Sequence, residues 1–341
     1  MLATVVGSYP IPAWAKAQPS PEALRDALRV VLQIQAEAGI DVASDGEVTR
    51  WNFHEHRPSG MVERFVQHME GISAAVSAAE RIAYEGRLDA RYRGAPPGVV
   101  RGVVGPGSLD LESEWRQAAR LTARPLKFTV TSPYMMAKLL HDVCYGDFAQ
   151  LLDALAGVLA DQVDRVAAAV VQIDEPNLPG SPQDALLAAR AINRVLDRVS
   201  GEGAVHLCFG NFGGQRIQRG DYPSLLGFFN ALHCRHLVLE TTRRPAAELE
   251  ILGEIRPEIG LGLGVIDVKD LQVETPEEVA RRIERLAGAF GVERIRYVHP
   301  DCGLAHLPRD VADGKLRALV AGRDQFLGQR RSLDAALSGG R

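Results

Sequence analysis

A chain of 341 residues has room for two average domains or for one barrel of alternating strands and helices. With 46% hydrophobic and 24% charged residues, its proportions are those of a globular protein and exclude a mainly disordered chain. Lys plus Arg number 39 against 43 for Asp plus Glu, a formal net charge of -4, which excludes the basic excess that binding to nucleic-acid phosphates requires. No apolar run approaches the ~18 residues of a membrane helix, and the opening MLATVVGSYPIP lacks a charged leader, so a cytoplasmic protein with no membrane partner is expected. Four cysteines are too few for a disulfide scaffold, and in a reducing cytosol they should be thiols.

In chain order, short β-branched or apolar runs bounded by turn residues predict strands at 3–7, 41–45, 127–131, 169–174, 205–209, 236–240, 260–265 and 295–299. Between most of them, apolar residues at three-and-four spacing predict helices at 21–38, 148–167, 182–199 and 276–289. Start signals support three of these: Ser20-Pro21 with Glu22, Ser181-Pro182 with Asp184, and Thr275-Pro276 with Glu277 and Glu278. Each combines a capping hydroxyl, a proline at the first helical position and acids in the first turn. Eight strands alternating with helices predict the α/β class and a single-domain (β/α)8 TIM barrel over residues 1–330. The stretch 81–104 reads as extra extended structure, a hairpin within an insertion at about 75–105, and 331–341 reads as a C-terminal tail.

Functional groups of such a barrel stand where the strands end. The fifth strand reads VHLCFG, and residues two apart in an extended chain face the same way, so His206 and Cys208 project together into the mouth. The sixth strand closes in Glu240, a carboxylate that needs a partner, because burying an unpaired charge costs several kcal/mol. The eighth leads to Cys302. Two thiols, an imidazole and a carboxylate from three strand ends form a four-ligand set of the kind zinc prefers. A plainer reading also stands, with Cys208 and Cys302 as buried small hydrophobes and His206 bonded to a backbone carbonyl. Cys144 and Cys234 fall away from this rim and read as packing residues, as do His233 and His236.

The motifs GSYP at 7–10, SDGE at 44–47, QIDEP at 172–176, HLC at 206–208, LETTR at 239–243, GLGVIDVK at 262–269 and HPDCG at 299–303 span nearly the whole chain. As a set they resemble the catalytic barrel of the cobalamin-independent methionine synthase family, in a short, single-barrel form. That family lies within the larger group of barrels that also holds uroporphyrinogen decarboxylase. The resemblance implies that His206, Cys208, Glu240 and Cys302 bind Zn2+, the set already reached from the strand ends. It implies that Gly7 and Ser8 take the carboxylate of an amino-acid substrate, while Glu47 and Asp174 take its ammonium. For these two acids, ion pairs to Arg50 or Arg243 are the alternative. The activity implied is a zinc-dependent methyl transfer from a donor to a thiol, homocysteine becoming methionine. Glu240 would be the exchangeable ligand, since a hard carboxylate competes poorly with sulfur. Implied partners are a small-molecule thiol and a methyl donor, either a corrinoid protein or a small molecule; the oligomeric state stays open.

Two segments depart from the folate-using members. Past the seventh strand those enzymes carry a histidine just beyond the aspartate, where this chain has Asp267-Val268-Lys269. After the third strand they place a tryptophan for the pteridine ring, where this chain has Tyr134 and Met135. A pterin leaving group needs an aromatic platform and a proton donor, so methyltetrahydrofolate is not the expected donor. The stretch from Arg50 to Arg57 follows SDGE and reads as a lid over the mouth or as a solvated loop, with His54 and His56 as a conceivable second metal pair. Two other activities fit a barrel of this group: a zinc-thiolate enzyme acting on another thiol, such as an epoxide:coenzyme M transferase or a secondary-metabolic C–S lyase, and a metal-free decarboxylase of the uroporphyrinogen type.

Overall fold

The computed structural model describes residues 1–53, 55–87, 93–210 and 218–338. All eight predicted runs contribute to one sheet: β1 (Leu2–Ala3), β2 (Ala43–Ser44), β3 (Leu126–Thr131), β4 (Val170–Asp174), β5 (Glu202–Leu207), β6 (His236–Leu239), β7 (Gly260–Ile266) and β8 (Ile295–Pro300). Each strand pairs in parallel with its neighbours, and β1 lies against β8 at one end of the order while β2 lies against β3 at the other. The parallel bridge Thr4–Val42 joins those two ends, with the Thr4 hydroxyl donating to the Val42 carbonyl at 2.7 Å, and so closes the ring. This is the expected (β/α)8 barrel. β1 and β2 are shorter than their sequence runs, and after β2 the chain turns at Gly46 (φ 64) and Glu47 (φ 57).

Long helices cover the outside: α1 (Pro21–Glu37), α2 (Phe148–Val163), α3 (Ala185–Leu196), α4 (Pro276–Phe290) and α5 (Arg309–Ser338). Ser20 caps α1 through a bond from the Ala23 amide, and Thr275 with Glu278 forms a full capping box on α4. At Ser181 the start signal misleads. Residues Pro182–Asp184 form a tight 3-10 turn, the Ser181 side chain makes no cap bond, and α3 begins at Ala185. α5 runs through Ser338, so the stretch expected as a tail from 331 begins as helix. Its Leu and Ala residues favour helix, and no breaker comes before Gly339.

The insertion also differs from expectation. Glu70–Ser73 pairs antiparallel with Val99–Gly105, and His141–Asp142 adds a third strand, but a helix, Ala78–Glu85, stands between the first two where a hairpin was expected. Ser77 and Glu80 form a capping box at its start, a signal the sequence carried. Part of the expected hairpin, residues 88–92, lies outside the described residues.

Strand residues at alternate positions fill the barrel, and this filling is partly polar: Lys127, Gln172, His236 and His299 are all buried. Lys127 donates to the Val5 carbonyl at 2.8 Å, and His236 packs on the Tyr297 ring with centroids 4.5 Å apart. Burial, aided by the Lys127 charge, lowers His236 to about 4 and His299 to about 3, so both are neutral in the native protein. An unfolded histidine titrates near ~6.5, so below that pH the unfolded chain takes up protons the native state refuses, and stability falls with pH. A loss of about 2 kcal/mol per histidine is expected between pH 6.5 and 5, read from urea midpoints; an unchanged midpoint would contradict it. Among the described residues no helix is long and apolar enough to cross a membrane.

Candidate active site

The residues singled out from the sequence gather at the C-terminal mouth. His206 lies on β5 and Cys208 one residue beyond its end; Cys302 follows β8 by two residues. Their ligand atoms all lie within 4.8 Å of one another, and Cys302 Sγ is 3.8 Å from His206 Nε2. Around a tetrahedral zinc with bonds of about 2.0–2.3 Å, neighbouring ligand atoms stand roughly 3.5–3.8 Å apart, so the cluster is of the right size. His206 Nδ1 is 2.8 Å from the Val238 carbonyl and must carry the proton there, which leaves the Nε2 lone pair facing the two thiols. That orientation is what a metal-binding histidine needs.

Electrostatics separate the two thiols. Hydrogen bonds from Cys208 and then from His206 hold the Cys302 thiol well below its ordinary range, whereas the bond to Cys302 and burial push Cys208 up. Burial opposes a charge on His206, but the hydrogen bond and charge of Cys302, with help from Asp174, outweigh it and raise the imidazole. Without a cation, the two shifts favour a charge pair, negative on Cys302 and positive on His206. A divalent ion would replace that pair, favouring thiolates and a neutral ring.

Glu240 stands at the mouth just past β6 but is not among the three clustered side chains. Its Oε2 is 3.4 Å from Lys269 Nζ, and both groups are largely buried. Asp301, which the sequence reading passed over, braces this corner: its Oδ1 accepts from the Thr241 amide at 2.9 Å and its Oδ2 from the Thr242 hydroxyl. Burial and the Glu240 charge push the Asp301 carboxyl up to about 7. Because Gly264 has no Cβ, that carboxylate fits; a Cβ there would lie 2.0 Å from Asp301 Oδ1.

Gly7, Ser8, Glu47 and Asp174 stand at or just past the ends of β1, β2 and β4. Glu47 Oε1 accepts from the Thr129 hydroxyl at 2.8 Å and pairs with Arg50 Nη1 at 3.3 Å. Both sequence readings of Glu47 therefore bear on it: it is ion-paired, and it lines a cavity of ≈ 80 Å³ with Ser8, Gly46, Arg50, Pro58 and Ser59. A side chain at Gly7 would place its Cβ 2.8 Å from Glu47 Oε1, and one at Gly303 would meet Ser8 Oγ at 2.1 Å, so glycine lets these loops close on each other. Asp174 ends β4 and is buried; Gln172 Nε2 donates to its Oδ1 at 2.7 Å, and among the described residues no cation reaches it within ion-pair distance. Burial, reinforced by Glu47 and opposed by His206, pushes Asp174 up to about 7. Arg243, the other suggested partner, binds Asp267 at 2.6 Å instead.

Of the segment after SDGE, Arg50 is buried beneath the cavity, donates to the Thr129 carbonyl at 2.7 Å and lies over the Phe65 and Phe128 rings. Trp51–Asn52 pairs with Arg57–Pro58 as a two-stranded ribbon, whose base enters the cavity wall. His56 is exposed and His54 lies outside the described residues. Cys234 is buried as expected, but Cys144 is exposed in the turn after His141–Asp142. His233 is exposed and bonds Asp197 at 2.8 Å. Tyr134 is wholly buried, donates to Asp184 at 2.7 Å and meets Phe148 edge-on, so its ring offers no free face.

The chain is 29% identical over 340 residues to the methionine synthase of Saccharolobus solfataricus, covering 94% of this chain and 92% of that protein. It is also 29% identical over 342 residues to the methionine synthase of Thermococcus kodakarensis, covering 94% and 91%. The fold resembles a B12-independent methionine synthase from Shewanella sp. W3-18-1, solved in complex with selenomethionine, with a TM-score of 0.82 at 23% identity over 97% of this chain and 100% of that one. Residues 1–323 match the model of the cobalamin-independent synthase catalytic domain, and the chain belongs to that family.

Proposed function

We propose that this protein transfers a methyl group to the thiol of homocysteine, forming methionine, and that it does so with Zn2+ held by His206, Cys208 and Cys302. The observation that carries the reading is the convergence of one imidazole and two thiols within 4.8 Å, with His206 turned by the Val238 carbonyl so that Nε2 faces the sulfurs. The cation would supply ionisation of the incoming thiol near neutral pH, making sulfur the nucleophile.

The protein's own groups then position the amino acid. Asp174 and Glu47 attract the ammonium, and the turn at Gly7 and Ser8 receives the carboxylate. Arg50 offsets part of the Glu47 charge, so the arriving ammonium finds its less compensated partner in Asp174. Two acids here favour an amino-acid thiol over a sulfonate. The methyl donor we propose is a corrinoid protein or a small molecule other than a folate, because Tyr134 is buried and Asp267 is followed directly by Val268 and Lys269. The barrel over residues 1–330 would act as one catalytic unit in the cytoplasm, a setting that suits four unbridged cysteines. The test is to supply zinc-loaded protein with homocysteine and, separately, methylcobalamin, methyltetrahydrofolate and small epoxides. Methionine from methylcobalamin is expected; thioether formed only from epoxides would redirect the assignment.

A further inference from the structure

Glu240 and Lys269 are buried at the edge of the three-ligand cluster, with Glu240 Oε2 3.4 Å from Lys269 Nζ. The surroundings of Glu240 offer it no other charge partner among the described residues: the Tyr222 hydroxyl donates to its backbone carbonyl at 2.9 Å, and a second acid, Asp301, accepts from the amide of the next residue, Thr241, at 2.9 Å. A buried carboxylate needs a cation. Among the described residues the cation it meets is the Lys269 ammonium; an ion held by the cluster would be the alternative.

The backbone that presents Lys269 is braced on both sides. Asp267 Oδ1 accepts from the Lys269 amide at 2.8 Å, while its Oδ2 takes Arg243 at 2.6 Å, tying the loop after β7 to the loop after β6. Glu274 fixes the far end, accepting from the Asp267 amide at 2.7 Å, from Arg282 at 3.1 Å and from the fully buried Lys315 at 2.8 Å. An ammonium on so fixed a loop is a standing competitor for the carboxylate.

We infer that Lys269 is a positioning residue that draws the Glu240 carboxylate off the His206–Cys208–Cys302 cluster and so leaves the fourth ligand position to the thiol substrate. The inference rests on the metal reading above. It has a thermodynamic consequence, because whatever favours Glu240 on the ion disfavours the thiol there to the same degree. Lys269→Met removes the competitor while keeping an apolar stem of similar length.

The experiment measures zinc affinity by chelator competition without thiol, and homocysteine affinity from the absorption of the cobalt-substituted protein. In Lys269→Met, zinc is expected to bind about three- to tenfold more tightly and homocysteine about as much more weakly, within the range of a partly buried ion pair. Lys269→Arg should stay near wild type, and in a Glu240→Gln background Lys269→Met should change neither affinity. Equal affinities in wild type and Lys269→Met would overturn the inference, as would an effect that persists with Glu240→Gln. If the Met variant does not fold, Lys269→Gln makes the same comparison. Wild type that binds neither metal would overturn the metal reading itself, and this inference with it.

Discussion

Cys302→Ser and His206→Ala are each expected to lose bound zinc and to cut methionine formation by at least about a thousandfold, because the chemistry assigned to the ion is worth several kcal/mol. The geometry explains why both changes act together. Cys302 Sγ and His206 Nε2 are 3.8 Å apart and come from strands on different sides of the site, so neither can be replaced by a neighbour. Serine offers a poorly ionised, hard oxygen where a soft thiolate is needed. Cys234→Ser is the control: that thiol is buried in the apolar core before β6 and burial pushes it up to about 12, so it is an inert packing group and its loss should leave metal and rate intact. Metal content by atomic emission, set beside turnover, decides the matter. Full activity in metal-depleted Cys302→Ser would end the proposal.

Asp174→Asn should lower kcat/KM for homocysteine by about 10- to 100-fold, the worth of a buried charge-assisted bond to an ammonium, while zinc content stays the same. The expectation follows from the asymmetry between the two acids. Glu47 has Arg50 beside it, whereas among the described residues the Asp174 carboxylate accepts an amide bond from Gln172 and has no ion-pair partner. The discriminating measurement uses a second thiol that lacks the amino group. For that substrate the variant should differ from wild type by less than about threefold, since no ammonium is there to lose its partner. An equal loss with both thiols would mean that Asp174 supports the mouth and does not recognise the amino acid.

The barrel was legible because its strands are buried on both faces and read as short, largely apolar runs, as β7 does along its whole length and β4 does apart from Gln172 and its closing Asp174. The ligand set was legible for a related reason. A histidine, a thiol or a carboxylate that closes such a run stands out against it, and period-two alternation fixes its direction. The same alternation carried a signal that went unread: Lys127, Thr129 and Thr131 point inward together from β3, and Thr129 proves to orient Glu47. Other groups were not legible because they are defined by the meeting of loops distant in sequence. Lys269 meets Glu240 across 29 positions, and Asp301 meets Thr241 across 60, pairings that no local pattern encodes. Arg50 was legible as an ion-pair partner for Glu47, and it does pair there; its place over the Phe65 and Phe128 rings was not, because it depends on the turn at Glu47.

Zinc K-edge absorption with and without homocysteine bears most directly on the claim that the ion at this mouth takes up the substrate's sulfur. Two sulfur neighbours from Cys208 and Cys302 before addition, and three after it, is the expected result. A sulfur count that homocysteine leaves unchanged would contradict the account.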